Sequence, residues 1–134
     1  MDGPNARSGR VEIKHKGVWG TVCEDNFGLE EAQVVCTMLG FPAESASLYN
    51  GSRDYRGDGP IWIRFDRNEG CSGHEISLTE CKSKNLWEHT EHCKHHEDVA
   101  IVCQSEVSKY YSLVVDIYSY QLIMFFLGTI CNKI

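Results

Sequence analysis

The sequence lacks the short motifs that are typical of common hydrolases and nucleotide-binding enzymes. It contains no Gly-x-Ser-x-Gly nucleophile motif, and no glycine-rich phosphate loop follows a predicted strand. Ser72 and His74 both occur in "GCSGHE", but residues so close in sequence seldom face each other for proton transfer. The sequence therefore predicts no catalytic residue and a protein that is not an enzyme.

Positive charge is also scarce. The chain has 13 lysines and arginines against 19 aspartates and glutamates, and its net charge is -6. Nucleic-acid binding depends on neutralising phosphates, so this balance argues against a nucleic-acid partner, although a local basic patch is compatible with it.

No Cys-x2-Cys pair is present, and this absence argues against a zinc site in the histidine-rich stretch "HTEHCKHHEDVAIVC" at 89–103. A structural zinc site usually uses closely spaced ligand pairs. We therefore interpret these histidines as surface or hydrogen-bonded loop residues. Six of the seven cysteines fall within 23–103, which is typical of a three-bridge extracellular domain, and Cys131 stands apart. Because the polar N-terminus lacks an apolar leader, we expect a fragment or an incomplete gene model.

Periodicity predicts a mixed α+β domain. Alternating apolar residues indicate a hairpin over 10–22, and strands are predicted at 61–65 and 98–103. A helix is predicted over 29–39, with Leu29, Ala32, Val35 or Cys36, and Leu39 on its inner side. Glu30 and Glu31 would favour its first turn, and Gly40 would end it.

The composition changes after residue 104. Residues 112–131 form an apolar run of bilayer length, interrupted by Asp116 and Gln121. Three interpretations of the 105–134 tail stay open: a membrane anchor, a translated non-coding stretch from an imperfect gene model, and a core element of the same domain.

Five blocks in order carry a family resemblance: "GRVEIKHKGVWGTVCED", "AQVVCTMLGF", "GPIWI", "GCSGHEISLTEC" and "HCKHHEDVAIVC". Together they resemble the scavenger receptor cysteine-rich (SRCR) domain over residues 9–104, with 1–8 as a flank. Arg7 and Phe41 stand where the eight-cysteine group has an additional bridge, so the chain is similar to the six-cysteine group A. The resemblance implies a compact, disulfide-stapled fold in which a curved antiparallel β-sheet cradles one helix. It also implies the pairs Cys23–Cys93, Cys36–Cys103 and Cys71–Cys81.

The resemblance further implies a calcium site at Glu24, Asp25 and Glu75, since calcium prefers hard oxygen ligands. A second family cation site is lost or remodelled, because Arg64 begins the segment that normally supplies its acids. Four arginines would form a polyanion-binding face, because guanidinium pairs well with sulfate, phosphate and carboxylate: Arg53, Arg56, Arg64 and Arg67. The alternative is a charge-balanced solvent face. Asn50 begins a glycosylation sequon.

The expected function is an extracellular scavenger-receptor-type module, secreted or membrane-anchored through 112–131. It would bind polyanionic, microbial or host-protein ligands with calcium assistance. The alternative is a non-catalytic accessory domain of a larger secreted protease or lysyl-oxidase-like enzyme.

Overall fold

The computed structural model describes residues 7–49, 56–84, 86–88 and 92–104. In this part of the chain one α-helix packs with six short strands, which form two three-stranded sheets. The strands are β1 (Ser8–Arg10), β2 (Glu12–His15), β3 (Val18–Val22), β4 (Ala46–Leu48), β5 (Ile61–Ile63) and β6 (Ala100–Cys103).

The first sheet is built on the predicted hairpin. Strands β2 and β3 pair antiparallel, with His15 opposite Val18, so Lys16 and Gly17 alone form the turn. Both turn residues have positive φ, 48° and 80°, as the tight hairpin turns that match strand twist require. Strand β5 then joins the other side of β3 in parallel. The hairpin prediction is confirmed.

The second sheet has the order β1-β6-β4, and both of its pairings are antiparallel. The α+β class is therefore confirmed, and the strands are divided between two sheets rather than joined in one. One pair is parallel because the helix and a long connection separate β3 from β5, which lets β5 return in the same direction.

The helix α1 (Leu29–Met38) confirms the predicted element. Gly40 ends it with φ 85°, and the Phe41 N–H donates to the Cys36 carbonyl at 2.9 Å. The predicted inner side is wrong at its start: Leu29 is 48% exposed, whereas Glu31 is buried. Backbone donors from outside the helix reach the Glu31 carboxylate, so burying that residue leaves no carboxylate oxygen without a partner.

The core lies between the helix and the two sheets. Its largest fully buried side chains come from both sheets and from the connections between them: Phe65, Ile63, Leu78 and Ile101. Within the described ranges no helix is long and apolar enough to cross a membrane. The apolar run at 112–131 lies outside the described residues, as do Cys131 and the sequon residue Asn50.

Candidate functional site

Three disulfides tie the ends of the domain to its middle. The structure joins the pairs that the resemblance implied, Cys23–Cys93, Cys36–Cys103 and Cys71–Cys81. The first two connect residues 70 and 67 positions apart, and the second of them links α1 to β6. The third closes a local loop of separation 10 that carries Glu75.

Glu75 organises the loop between Cys71 and Cys81. Its Oε1 accepts the Ser72 N–H at 2.7 Å and its Oε2 accepts the Gly73 N–H at 3.0 Å. The hydrogen bond from the Ser72 backbone is the main reason why the pKa of Glu75 is lowered to about 2. The carboxylate is therefore ionised at neutral pH, and both of its oxygens have backbone partners.

Asp25, the second calcium candidate, pairs with an arginine. It follows Cys23 at the end of β3, and its Oδ2 lies 3.1 Å from the Arg64 Nε. Arg64 also donates through Nη1 to Asp66. The hydrogen bond to Asp25, with that to Asp66, raises the pKa of Arg64 above its ordinary value. One guanidinium thus holds two carboxylates from different segments.

The three calcium candidates lie on two segments, the residues that follow β3 and the Cys71–Cys81 loop. Within the described ranges, the only group of three or more potential metal ligands with atoms within 4.8 Å of one another contains Glu75 with Cys71 and Cys81, whose sulfurs form a disulfide. Glu24 is exposed, and Asp25 is paired with Arg64. The donor chemistry of these acids suits calcium.

The candidate arginines separate into two kinds. Arg56 and Arg67 are exposed, Arg64 is held by the two aspartates, and Arg53 lies outside the described residues. The turn that carries Arg67 is fixed against the segment 82–84: Gly70 and Lys82 exchange two backbone hydrogen bonds of 2.9 and 3.0 Å.

Two exposed lysines therefore lie on the segment that adjoins Arg67. Glu69 accepts the N–H of Lys84 at 3.0 Å and that of Asp66 at 3.0 Å, so its carboxylate is engaged by the backbone. Asp66 is engaged by Arg64. The acids of this region thus have partners within the domain, while the cationic side chains face solvent. We call the exposed set the basic patch: Arg67, Lys82 and Lys84. The two lysines were not predicted from the sequence, because only the strand-like contact at Gly70 places their segment against the turn that carries Arg67.

One buried polar group was not predicted from the sequence. Asp98 is fully buried, yet it accepts hydrogen bonds from the Thr21 hydroxyl at 2.6 Å and the Gly57 N–H at 2.8 Å. His95 Nδ1 lies 2.9 Å from the same carboxylate, and His95 Nε2 lies 3.0 Å from the Gly59 carbonyl oxygen. His95 is thus a hydrogen-bonded histidine, whereas His92 and His96 are exposed.

The tryptophans pack rather than present an open stacking face. Trp62 donates through Nε1 to the Val18 carbonyl at 3.1 Å, which fixes its ring over the hairpin. Trp87 stacks on His15, with ring centroids 4.0 Å apart and planes at 6°. Trp62 and Trp87 are both partly buried against the core.

Comparison with known proteins agrees with this architecture. The family model of the scavenger receptor cysteine-rich domain matches residues 1–104. The human lysyl oxidase homolog 4 is 45% identical over 104 residues, and human CD5 antigen-like is 44% identical over 104 residues. The third SRCR domain of murine neurotrypsin superposes with a TM-score of 0.62 at 34% identity, and the match covers 78% of this chain and 92% of that one.

The matched region is a small part of the curated relatives. It covers 75% of this chain but 13% of lysyl oxidase homolog 4, and 77% of this chain but 28% of CD5 antigen-like. Three disulfides fit an oxidising compartment, and the domain is extracellular. The family match over residues 1–104, the shared fold and the identity to these relatives together show that the chain belongs to the scavenger receptor cysteine-rich family.

Proposed function

We propose that this extracellular, non-catalytic domain binds polyanionic ligands, such as sulfated glycans or anionic microbial surfaces, through the basic patch. The observation that carries the proposal is the arrangement around Arg67, in which the carboxylates of the local acids Asp66 and Glu69 have hydrogen-bond partners within the domain. Three cationic side chains on two adjoining segments then face solvent, although the whole chain carries a net charge of -6. Arg56 adds a further exposed guanidinium.

The patch is proposed to act through exposed charges, so its contribution should be modest for each residue and sensitive to salt. An exposed ion pair contributes about 0.2–1 kcal/mol, so two of them at about 0.7 kcal/mol each account for a roughly tenfold change in affinity. Raising the ionic strength shortens the range of these interactions and should weaken binding steeply.

A heparin-derived oligosaccharide provides the test. The full chain with oxidised disulfides is compared with the double variant Arg67→Gln/Lys84→Gln by titration at low and physiological salt. The matched control is Lys14→Gln/Lys16→Gln, which removes two exposed cations from the hairpin. The proposal predicts a roughly tenfold loss and a shallower salt dependence for the patch variant only. Equal losses in both variants would show that net charge alone controls binding, and absence of binding in the parent chain would remove the function.

We also propose that calcium assists ligand binding, with Glu24, Asp25 and Glu75 as the metal ligands that the resemblance implies. Asp25 would have to exchange Arg64 for the metal. Calorimetric titration with calcium, repeated on Asp25→Asn, tests this part: a calcium signal that is lost in the variant supports it. No signal in the parent chain removes calcium from the function and leaves polyanion binding to be judged separately.

We also assign the domain to the six-cysteine group A. The Arg7 guanidinium carbon lies 5.9 Å from the centre of the Phe41 ring, so the two positions of the missing bridge are close in space and hold a cation–π contact.

The second candidate function is a non-catalytic accessory domain of a larger secreted enzyme. The similarity to lysyl oxidase homolog 4, of which the match covers 13%, supports this candidate. The complete transcript decides between them, since an oxidase or protease domain in the same reading frame supports the accessory role. A transcript with a membrane span or further SRCR repeats and no enzyme domain supports the receptor role.

A further inference from the structure

The segment 56–59 is attached to the domain through one buried carboxylate. Asp98 accepts the Gly57 N–H at 2.8 Å and the Thr21 hydroxyl at 2.6 Å, and it is fully buried where the chain enters β6. The attachment therefore joins this segment to both sheets, since Thr21 belongs to β3.

His95 makes the second attachment of the same segment. Its Nδ1 lies 2.9 Å from one oxygen of Asp98 and 3.2 Å from the other, while its Nε2 lies 3.0 Å from the Gly59 carbonyl oxygen. A carbonyl oxygen and an ionised carboxylate can only accept hydrogen bonds. The neutral imidazole ring carries one N–H and the imidazolium carries two, so only the protonated ring satisfies both contacts.

We propose that His95 is a proton-dependent latch on the segment 56–59. The protonated ring donates to Asp98 and to Gly59 at the same time and holds the segment closed against the domain. Loss of one proton removes one of these two hydrogen bonds and loosens the segment, which carries the exposed residues Arg56 and Asp58. This latch involves none of the basic-patch residues and does not depend on polyanion binding.

Charged side chains lie on the elements around His95 and Asp98. Histidine is the side chain that ordinarily changes charge between about pH 5 and 8. Arg10 Nη2 lies 3.4 Å from Glu12 Oε2, and these residues belong to the consecutive strands β1 and β2. The side chains of Arg10 and Asp98 both lie next to Gly57. Among the described residues, five more charged or titratable groups are on the same turn as His95 or on the latched segment: Lys94, His96, Glu97, Arg56 and Asp58.

Amide hydrogen exchange at Gly57 measures the latch directly. The full chain, labelled with nitrogen-15 and with its disulfides oxidised, is compared at pH 5.5 and pH 8.0, each rate being divided by the intrinsic rate at that pH. One hydrogen bond contributes about 1 kcal/mol, so protection of the Gly57 N–H should be about fivefold lower at pH 8.0. In His95→Gln, which does not titrate, protection should be the same at both values. His96→Gln, the matched exposed control, should keep the parent behaviour.

The parent chain alone can overturn the proposal, so it stays testable even where the His95 variant folds poorly. Equal protection of Gly57 at the two pH values contradicts the latch. A His95 ring that carries one proton at pH 5.5, read from its nitrogen-15 shifts, contradicts it as well. A pH effect that is abolished by His96→Gln would assign the titration to the wrong histidine and also overturn the proposal.

Discussion

Replacing Glu31 should destabilise the domain far more than replacing the neighbouring Glu30. Both glutamates stand in the first turn of α1, but Glu30 is exposed and Glu31 is buried. Glu31 Oε2 accepts the Gly28 N–H at 2.8 Å, and its Oε1 accepts the Cys71 N–H at 2.8 Å. One side chain thus joins the start of the helix to the Cys71–Cys81 loop.

The magnitude follows from the hydrogen bonds that each variant can still make. Glu31→Gln keeps one acceptor oxygen and turns an NH₂ group toward the other backbone donor. The variant loses one charge-assisted hydrogen bond and leaves a buried N–H without a partner, which costs about 2–3 kcal/mol. Glu30→Gln removes the same charge from the same helix end and costs about 0.3–1 kcal/mol through the helix dipole.

Urea unfolding at pH 7 with intact disulfides measures both free energies of unfolding. If the free energy of unfolding falls by about 1.5 kcal/mol or more beyond the fall for Glu30→Gln, the result for Glu31→Gln supports the link that Glu31 makes between α1 and the Cys71–Cys81 loop. Equal losses would show that Glu31 does not link the helix to the loop, because only the helix-dipole contribution is common to the two positions.

Two further perturbations test the disulfides and the Glu75 carboxylate. Replacing both Cys36 and Cys103 by alanine should lower the free energy of unfolding by about 4 kcal/mol, and replacing both Cys71 and Cys81 should lower it by about 3 kcal/mol, because the two disulfides span 67 and 10 positions. Urea unfolding measures both values. A larger loss for the shorter disulfide would contradict stabilisation through chain entropy. Because the pKa of Glu75 is lowered from 4.5 to about 2, its ionised form stabilises the fold above about pH 4.5, and this stabilisation is lost as the pH falls toward 2. The parent should therefore lose more stability between pH 5 and 2 than Glu75→Gln, and parallel pH curves for the two proteins would show that the loop does not hold this carboxylate.

The elements with strong local signals were predictable from the sequence. The hairpin has alternating apolar residues around Lys16 and Gly17, and the helix has an apolar period that ends at Gly40; both elements are confirmed. Local chemistry determines such elements, since turn and cap positions require particular backbone angles.

Contacts between distant segments were not predictable in the same way. Glu31 was expected only in the first turn of the helix, where the dipole favours an acid, and it is the approach of the Cys71 N–H that makes its burial favourable. Asp98 gave no signal, because its donors come from Thr21 and Gly57, which are 77 and 41 positions away. Arg64 looked available to an anionic ligand until the fold brought Asp25, 39 positions earlier, to its guanidinium. In each case the burial or availability of a polar side chain depends on a hydrogen-bonding or ion-pairing partner from a distant segment. Sequence spacing does not identify that partner.

Peptide mapping without reduction tests whether three disulfides hold this extracellular domain together. The folded full chain is digested after free thiols are blocked, and the linked peptides are identified by mass. We expect linked peptides for Cys23–Cys93, Cys36–Cys103 and Cys71–Cys81. Blocked thiols at these six positions in folded protein, or a different set of links, would contradict this expectation.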